Sequence, residues 1–361
     1  MNKFKKIGLT ALATSLVASS AYAADVSVSG SAGMTFKTQG GNGSAAGDHG
    51  KGLGTDNSLS FSASGEMDNG WTVSASTAFT DAAALSSNKL SVTMGSMGTV
   101  YSGNATGGHA GSYDGLAGAY EEVDDGASTT LSSNLMGSQF DNGSIAYAAP
   151  AMEAAGATVQ LHLGYAPRGN DVALAGGVAD GTAKYGSARF AGVTITHDSG
   201  LTFGIAAQEA DKNGIASAKV NDVFAGNWYA TYAMGPVSIG YLQGYTDMGN
   251  ATGATAANTQ KTVAAGSGIF EVEEYVISFN VNDNLSVSYA KAEDTYDTQS
   301  GWSAGSTTAD AVADVTVDHK SIQAAYSMGS MSIKAYRQET DLSLIHISEP
   351  TRPRLISYAV F

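Results

Sequence analysis

The chain contains no cysteine, only 5 prolines and only 14% charged residues, and basic residues are scarce, with Lys+Arg at 18 against Asp+Glu at 33. Without cysteine there is no disulfide scaffold and no thiolate metal site. A net charge of −15 leaves no basic face on which a nucleic-acid backbone could dock. A helical membrane protein needs apolar runs of about 20 residues, and the one stretch that comes near, Ile7–Ala18, is too short. What is abundant instead is Gly, at 45 of 361 residues, together with Ser, Thr, Ala and Asn. A large chain of this kind, poor in charge and in proline, points to an all-β protein.

The N-terminus has the form of an export signal. Lys3, Lys5 and Lys6 precede the apolar run Ile7–Ala18, and Ala21-Tyr22-Ala23 supplies small residues for cleavage. The mature chain is expected to start at Ala24. Residues 342–361 read differently from the rest. Leu342–Arg352 and Ile356–Phe361, separated by three residues, resemble the two ends of a translated sequencing adapter. On that reading residues 342–361 are an adapter-derived artefact, and the natural chain is cut near Asp341 with its last strand lost. The signal carries three lysines and the tail a net charge of +1, so residues 24–341 carry −19.

Between these ends the apolar residues alternate. Val26, Val28, Gly30, Ala32, Met34 and Phe36 share one face of the first strand, with Ser27, Ser29, Ser31, Thr35 and Lys37 on the other. The same period recurs in pairs joined by short Asn/Asp/Gly turns: 59–63 with 71–79, 90–94 with 100, 193–195 with 201–205, 228–234 with 237–241, 275–281 with 285–289, and 322–328 with 331–333. A further pair, Ile145/Tyr147 and Val159–Tyr165, is joined through Pro150. That makes 15 strands. Longer polar connections near 38–56, 80–87, 103–140, 166–184, 209–222, 246–266, 293–314 and from Gln338 onward alternate with the short turns.

Short turns at one end and long loops at the other fit a transmembrane antiparallel β-barrel, which in bacteria has an even strand number, so the complete protein is expected to have 16. A sandwich alternates too. The barrel is favoured by polar faces built from Ser, Thr, Gly and Ala rather than charges, and by aromatics at apparent strand ends: Trp71, Phe79, Tyr165, Trp228, Tyr241, Tyr275 and Tyr289. Closure also leaves no unpaired backbone facing lipid.

The longest connection, 103–140, carries Asp114, Glu121, Glu122, Asp124 and Asp125. Sixteen strands enclose an open aqueous channel. A long loop folded inward would narrow it, and a ring of carboxylates would select ions by sign. A solvated surface loop is the plainer alternative. Lys37, Lys89 and Lys334 fall by parity on polar strand faces and are candidates for the basic side of the lumen.

Ala24–Gly30, Gly95–Gly103 and Asn142–Pro150 resemble, in that order, the first strand, the hairpin entering the third loop and the strand leaving it in Gram-negative general porins of the alphaproteobacterial type. The resemblance spans residues 1–341. It implies a trimeric outer-membrane channel for small hydrophilic solutes and ions, whose third loop forms the eyelet. The family usually sets a cluster of arginines and lysines opposite that loop, whereas the only arginines in residues 24–341 are Arg168, Arg189 and Arg337.

No cofactor and no dedicated metal site are expected. The Asp/Asn/Gly loops could take Ca²⁺, though none matches an EF-hand. The expected surroundings are outer-membrane lipid, with no nucleic-acid partner. His49, His109, His162, His197, His319 and His346 are too scattered to define a catalytic set. The Gly40–Gly47 cluster lies between strands rather than before a helix, so it is no phosphate loop. A non-conducting barrel serving as a surface adhesin or anchor is the alternative function.

Overall fold

The computed structural model describes residues 25–40, 50–80, 84–104, 109–123, 136, 140, 142–167, 169, 185–212, 222–247, 269–297, 315–344 and 354–360. The signal segment with Ala21 and Ala23 lies outside them. So do Asp124 and Asp125.

The chain folds into one antiparallel sheet. Its strands are β1 (Asp25–Gln39), β2 (Gly50–Glu66), β3 (Thr72–Thr80), β4 (Ala84–Thr93), β5 (Thr99–Asn104), β6 (Asn142–Ala148), β7 (Met152–Ala154), β8 (Ala157–Ala166), β9 (Tyr185–His197), β10 (Leu201–Lys212), β11 (Val223–Met234), β12 (Val237–Asp247), β13 (Ile269–Asn282), β14 (Leu285–Asp297), β15 (Val315–Met328), β16 (Met331–Leu344) and β17 (Arg354–Val360). β6 and β7 both pair with β8 and are one strand broken at Pro150. Proline lacks the N–H that a ladder needs. Counted this way, fifteen strands precede β17. That last strand pairs with both β16 and β1, so each strand has two neighbours and the sheet closes on itself. The sixteenth place in the ring is thus taken by residues within the segment that resembles adapter.

The short turns lie where the Asn/Asp/Gly pattern puts them, with one exception. The turn expected through Pro150 forms instead at Ala155–Gly156, both at positive φ, beyond the proline break. Several expected long connections are shorter than the sequence suggests. β2 begins at Gly50, β10 runs to Lys212 and β16 continues to Leu344, while only residues 81–83 separate β3 from β4. The hydrogen-bonded ladder outruns the apolar alternation. Where a strand rises beyond its apolar band, both faces turn polar and the two-residue period fades although the backbone pairing goes on.

Register and exposure agree on which side chains point out. On β13, Tyr275, Ile277, Phe279 and Val281 are exposed, whereas Phe270, Val272, Glu274 and Val276 are buried. Buried apolar side chains of the wall therefore point into the barrel. They form two clusters, one around Tyr113, Phe140 and Phe190 and one around Leu116, Val123, Leu242 and Val272. Each contains residues of the connection between β5 and β6, which lies inside.

Removing Arg354–Phe361 would leave Gly33–Thr38 of β1 and Ser332–Gln338 of β16 as open edges. The shortened chain is expected to lose the compact, heat-modifiable band that a closed barrel gives on semi-native electrophoresis. Survival of that band would mean that β1 and β16 can pair directly.

Candidate functional site

The connection between β5 and β6 runs along the inner wall and is fastened to it strand by strand. Its first described turn, Ala110–Tyr113, is a single 3-10 turn, with the Ser112 hydroxyl donating to the His109 carbonyl at 2.7 Å. Tyr113 is fully buried, and its hydroxyl lies 2.9 Å from both His162 Nδ1 on β8 and Thr194 Oγ1 on β9. Burial raises the Tyr113 pKa above the usual phenol value, so it stays protonated. A Cβ at Gly192 would come within 2.8 Å of the Tyr113 ring, so the wall needs glycine there for the ring to seat.

Beyond Tyr113 the main chain is read by side chains. Asn227 Nδ2 on β11 donates to the Tyr113 carbonyl at 2.8 Å. The Leu116 N–H donates to Glu274 Oε2 on β13 at 2.8 Å, and the Ala119 N–H to Ser288 Oγ on β14 at 2.7 Å. Gln323 on β15 makes three contacts with the loop. Its Oε1 accepts from the N–H groups of Tyr120 and Glu121 at 2.9 and 3.1 Å, and its Nε2 donates to the Glu121 carbonyl at 2.8 Å. Gln338 Nε2 on β16 then donates to the Val123 carbonyl at 2.6 Å. Gly118 lies so close to Ser288 and Gln323 that a Cβ there would approach them at 2.5–2.6 Å. Between these bonds Leu116 and Val123 fill the apolar cluster. Burying each is worth about 1.5–3 kcal/mol relative to exposure.

A segment whose side-chain hydroxyl, amides and carbonyls are partnered by wall side chains from β8 to β16 lies inside the barrel against that wall. Of the acidic residues singled out by sequence, Asp114, Glu121 and Glu122 lie on this inner segment and are half-buried. The Glu122 carboxylate packs so close to Gly115 that a Cβ at that position would meet it at 2.6 Å.

The three candidate lysines share the inward parity. Lys37 is on β1, opposite Gly52 of β2. Lys89 on β4 holds its Nζ 3.9 Å from the centroid of the Tyr101 ring. Lys334 on β16 lies 4.7 Å over the ring of Tyr120 in the loop. The arginines do not join them. Arg189 and Arg337 are exposed on the outward faces of β9 and β16, and Arg337 pairs with Glu339 at 2.7 Å. Arg168 lies outside the described residues. Two buried carboxylates that sequence reasoning missed, Glu274 and Asp294, also face inward, Asp294 3.4 Å from the buried His319.

On the outer face the seven aromatics separate. Trp71 follows the β2–β3 turn, its N–H bonded to Asn69 Oδ1. Phe79 meets Phe61 edge-on at 6.3 Å, and Tyr165 is exposed high on β8. Trp228, Tyr241 and Tyr275 form a row with centroid spacings of 5.2 and 4.9 Å, and Tyr289 lies one strand further on. These four stand at least four residues inside their strands, not at strand ends as the sequence suggested, because the ladders continue past them. Directly beyond lie Glu273, Lys291, Glu293 and Asp318, with Tyr275 donating its hydroxyl to Glu273 at 3.0 Å and Lys291 bridging Glu293 and Asp318 at 3.3 and 3.1 Å. The row thus marks the level where an apolar outer surface gives way to a charged one.

No family model and no curated protein matches the chain. Solved structures do. A porin refined at 1.8 Å aligns with TM-score 0.59 at 17% identity, covering 93% of this chain and all of that one. An anion-selective porin from Comamonas acidovorans aligns with TM-score 0.57 at 14% identity, with coverage of 93% and 100%. The trimer form of OmpT, an outer membrane protein of Vibrio cholerae, aligns with TM-score 0.56 at 10% identity, with coverage of 94% and 98%.

Gln323→Leu would strand two N–H groups and one carbonyl of the loop, at about 1–3 kcal/mol for each buried polar group left unpaired. Limited proteolysis within 109–123 is expected to quicken at least tenfold while the β-sheet circular dichroism stays unchanged. Cleavage at the parent rate would show that Gln323 does not hold the loop. At these low identities the comparisons establish the architecture, and the chain has the fold of the outer-membrane porins: a 16-stranded antiparallel β-barrel.

Proposed function

We propose that this chain is an outer-membrane porin, a water-filled, weakly cation-preferring channel through which small hydrophilic solutes and ions diffuse, with residues 103–140 as its constriction. One observation carries the reading: the Ala110–Val123 segment is hydrogen-bonded to inward-facing side chains on β8, β9, β11, β13, β14, β15 and β16. A loop fastened to the inner wall narrows the lumen. The outer aromatic row supports residence in a bilayer, because tyrosine and tryptophan favour the boundary between hydrocarbon and headgroups.

The sign of the preference follows from the charges. Residues 24–341 carry −19. Glu121 and Glu122 lie on the inner segment, and Asp124 and Asp125 follow directly in sequence. Among the described residues, Arg189 and Arg337 face outward, and Lys37, Lys89 and Lys334 share the inward parity. Two of these three lie over tyrosine rings, whose negative faces partly offset their charge. The Comamonas neighbour is anion-selective, so the architecture permits either sign and the lining residues decide. A homotrimer is part of the proposal, in keeping with the trimer form of the Vibrio cholerae neighbour.

Reversal potentials under a salt gradient in planar bilayers test the reading. Single channels with a cation preference are expected. Joint replacement of Glu121, Glu122, Asp124 and Asp125 by Gln or Asn should reduce that preference at least twofold. A clear anion preference would overturn the selectivity. Absence of any conductance would overturn the channel and favour a non-conducting anchor.

A further inference from the structure

The first anchor of the inner loop differs in chemistry from the others. Asn227, Glu274, Ser288, Gln323 and Gln338 hold main-chain groups, but at His109 the loop is held by a ring. The His109 imidazole stacks on His162 of β8 with centroids 4.3 Å apart and planes 12° from parallel. Tyr101 of β5 meets His109 edge-on at 4.8 Å, and the Lys89 Nζ lies 3.9 Å from the centroid of the Tyr101 ring. Tyr113 closes the group through its hydroxyl bond to His162 Nδ1. Among the described residues, the titratable or charged groups around the stack are Lys89 from β4, Tyr101 from β5, His162 from β8, Tyr229 from β11, and Tyr113 and the adjoining Asp114 from the loop itself. β9 and β10 present Phe190, Thr194, Ala206 and Gln208. Among the described residues, the buried His109 Nε2 has no hydrogen-bond partner, so a proton added there finds no acceptor among them.

Two neutral imidazoles stack without electrostatic penalty. Two imidazoliums face to face beside an ammonium repel, at a site where burial weakens screening. We propose that the His109–His162 stack is an acid-released latch: protonation drives His109 off the wall, and the Ala110–Tyr113 turn leaves β8 and β9 and swings into the lumen. The release concerns the loop alone, whereas its consequence for flow rests on the channel reading above.

Burial, followed by His162 and Lys89, lowers the His109 pKa from the ordinary 6.5 to about 4 in the docked loop. A released loop returns His109 to its ordinary value. Between these two values the released form binds more protons, so docking is at full strength above about pH 6.5 and weakens as pH falls toward 4. One proton linked over this interval changes the docking equilibrium by at most about a hundredfold.

Hydrogen exchange on the refolded full-length chain tests the latch. Protection factors for residues 109–113 are expected to drop at least tenfold between pH 6.5 and 4 while the β-sheet circular dichroism holds steady. His109→Phe, which keeps a stacked ring without a titrating nitrogen, should abolish the drop. Lys89→Met, a change outside the stack, should shrink it. Unchanged protection down to pH 4, an equal drop in His109→Phe, or a drop that coincides with loss of sheet signal would each overturn the proposal. In bilayers the same pH interval should raise the frequency of closures. Release without closures would overturn the occlusion while leaving the latch. A chain that conducts at no pH would refute the channel reading, and the exchange measurement would still decide the latch.

Discussion

The obligation of each backbone N–H and C=O to find a partner where water is absent organises this molecule. In hydrocarbon the only β-structure that meets it is a sheet without edges. The ring of pairings from β1 round to β17 and back satisfies the requirement for the wall. Inside, the same obligation takes a different form. The Tyr113–Val123 segment has no strand beside it, so its amides and carbonyls are met one at a time by Asn227, Glu274, Ser288, Gln323 and Gln338. The wall thus serves the loop as a set of placed side chains where it serves itself as a ladder.

This division explains the two faces of the sheet. The outward side of β13 runs from the apolar Ile277, Phe279 and Val281 through Tyr275 to Glu273. The inward side carries small residues where the loop must pass and long amides or a carboxylate where it must be held. Tyr229 touches both inner apolar clusters and joins the tyrosine anchor to the leucine and valine anchors. The buried Glu274 would be costly alone. It is tolerated because it accepts the Leu116 N–H from a chain segment that is itself buried.

Much of this was legible in the sequence. Period-2 alternation reports a face against hydrocarbon, and it located the strands from Val26 to Ile333 and their turns. It failed where both faces are polar, at the upper ends of β2, β10 and β16, because contrast between faces is all that a period can record. Of the acidic residues on the long connection, Asp114, Glu121 and Glu122 lie half-buried on its described course. The residues that hold it there were not legible. Gln323 and Gln338 look like ordinary polar positions on a strand, and their partners lie 202–203 and 215 residues away. The pair Glu273-Glu274 was a signal passed over: two adjacent carboxylates on a strand must point to opposite faces, so one of them had to enter the barrel. His109 in its Gly-rich loop and His162 on its strand are far apart in the sequence, and only the fold brings their rings together.

The separations of those contacts govern when the loop can settle. Its anchors on β13 to β16 are 158 to 215 residues downstream, so none exists until the C-terminal third of the wall has formed. Long-range closure is the slow step in chains dominated by non-local contacts. The anchors near His162 and Thr194 lie only 49 and 81 residues beyond Tyr113 and can form sooner. The loop is therefore tethered at one end while the rest waits. A half-closed barrel has a wide, unobstructed interior, and the last strands to arrive both seal the wall and draw the loop across it.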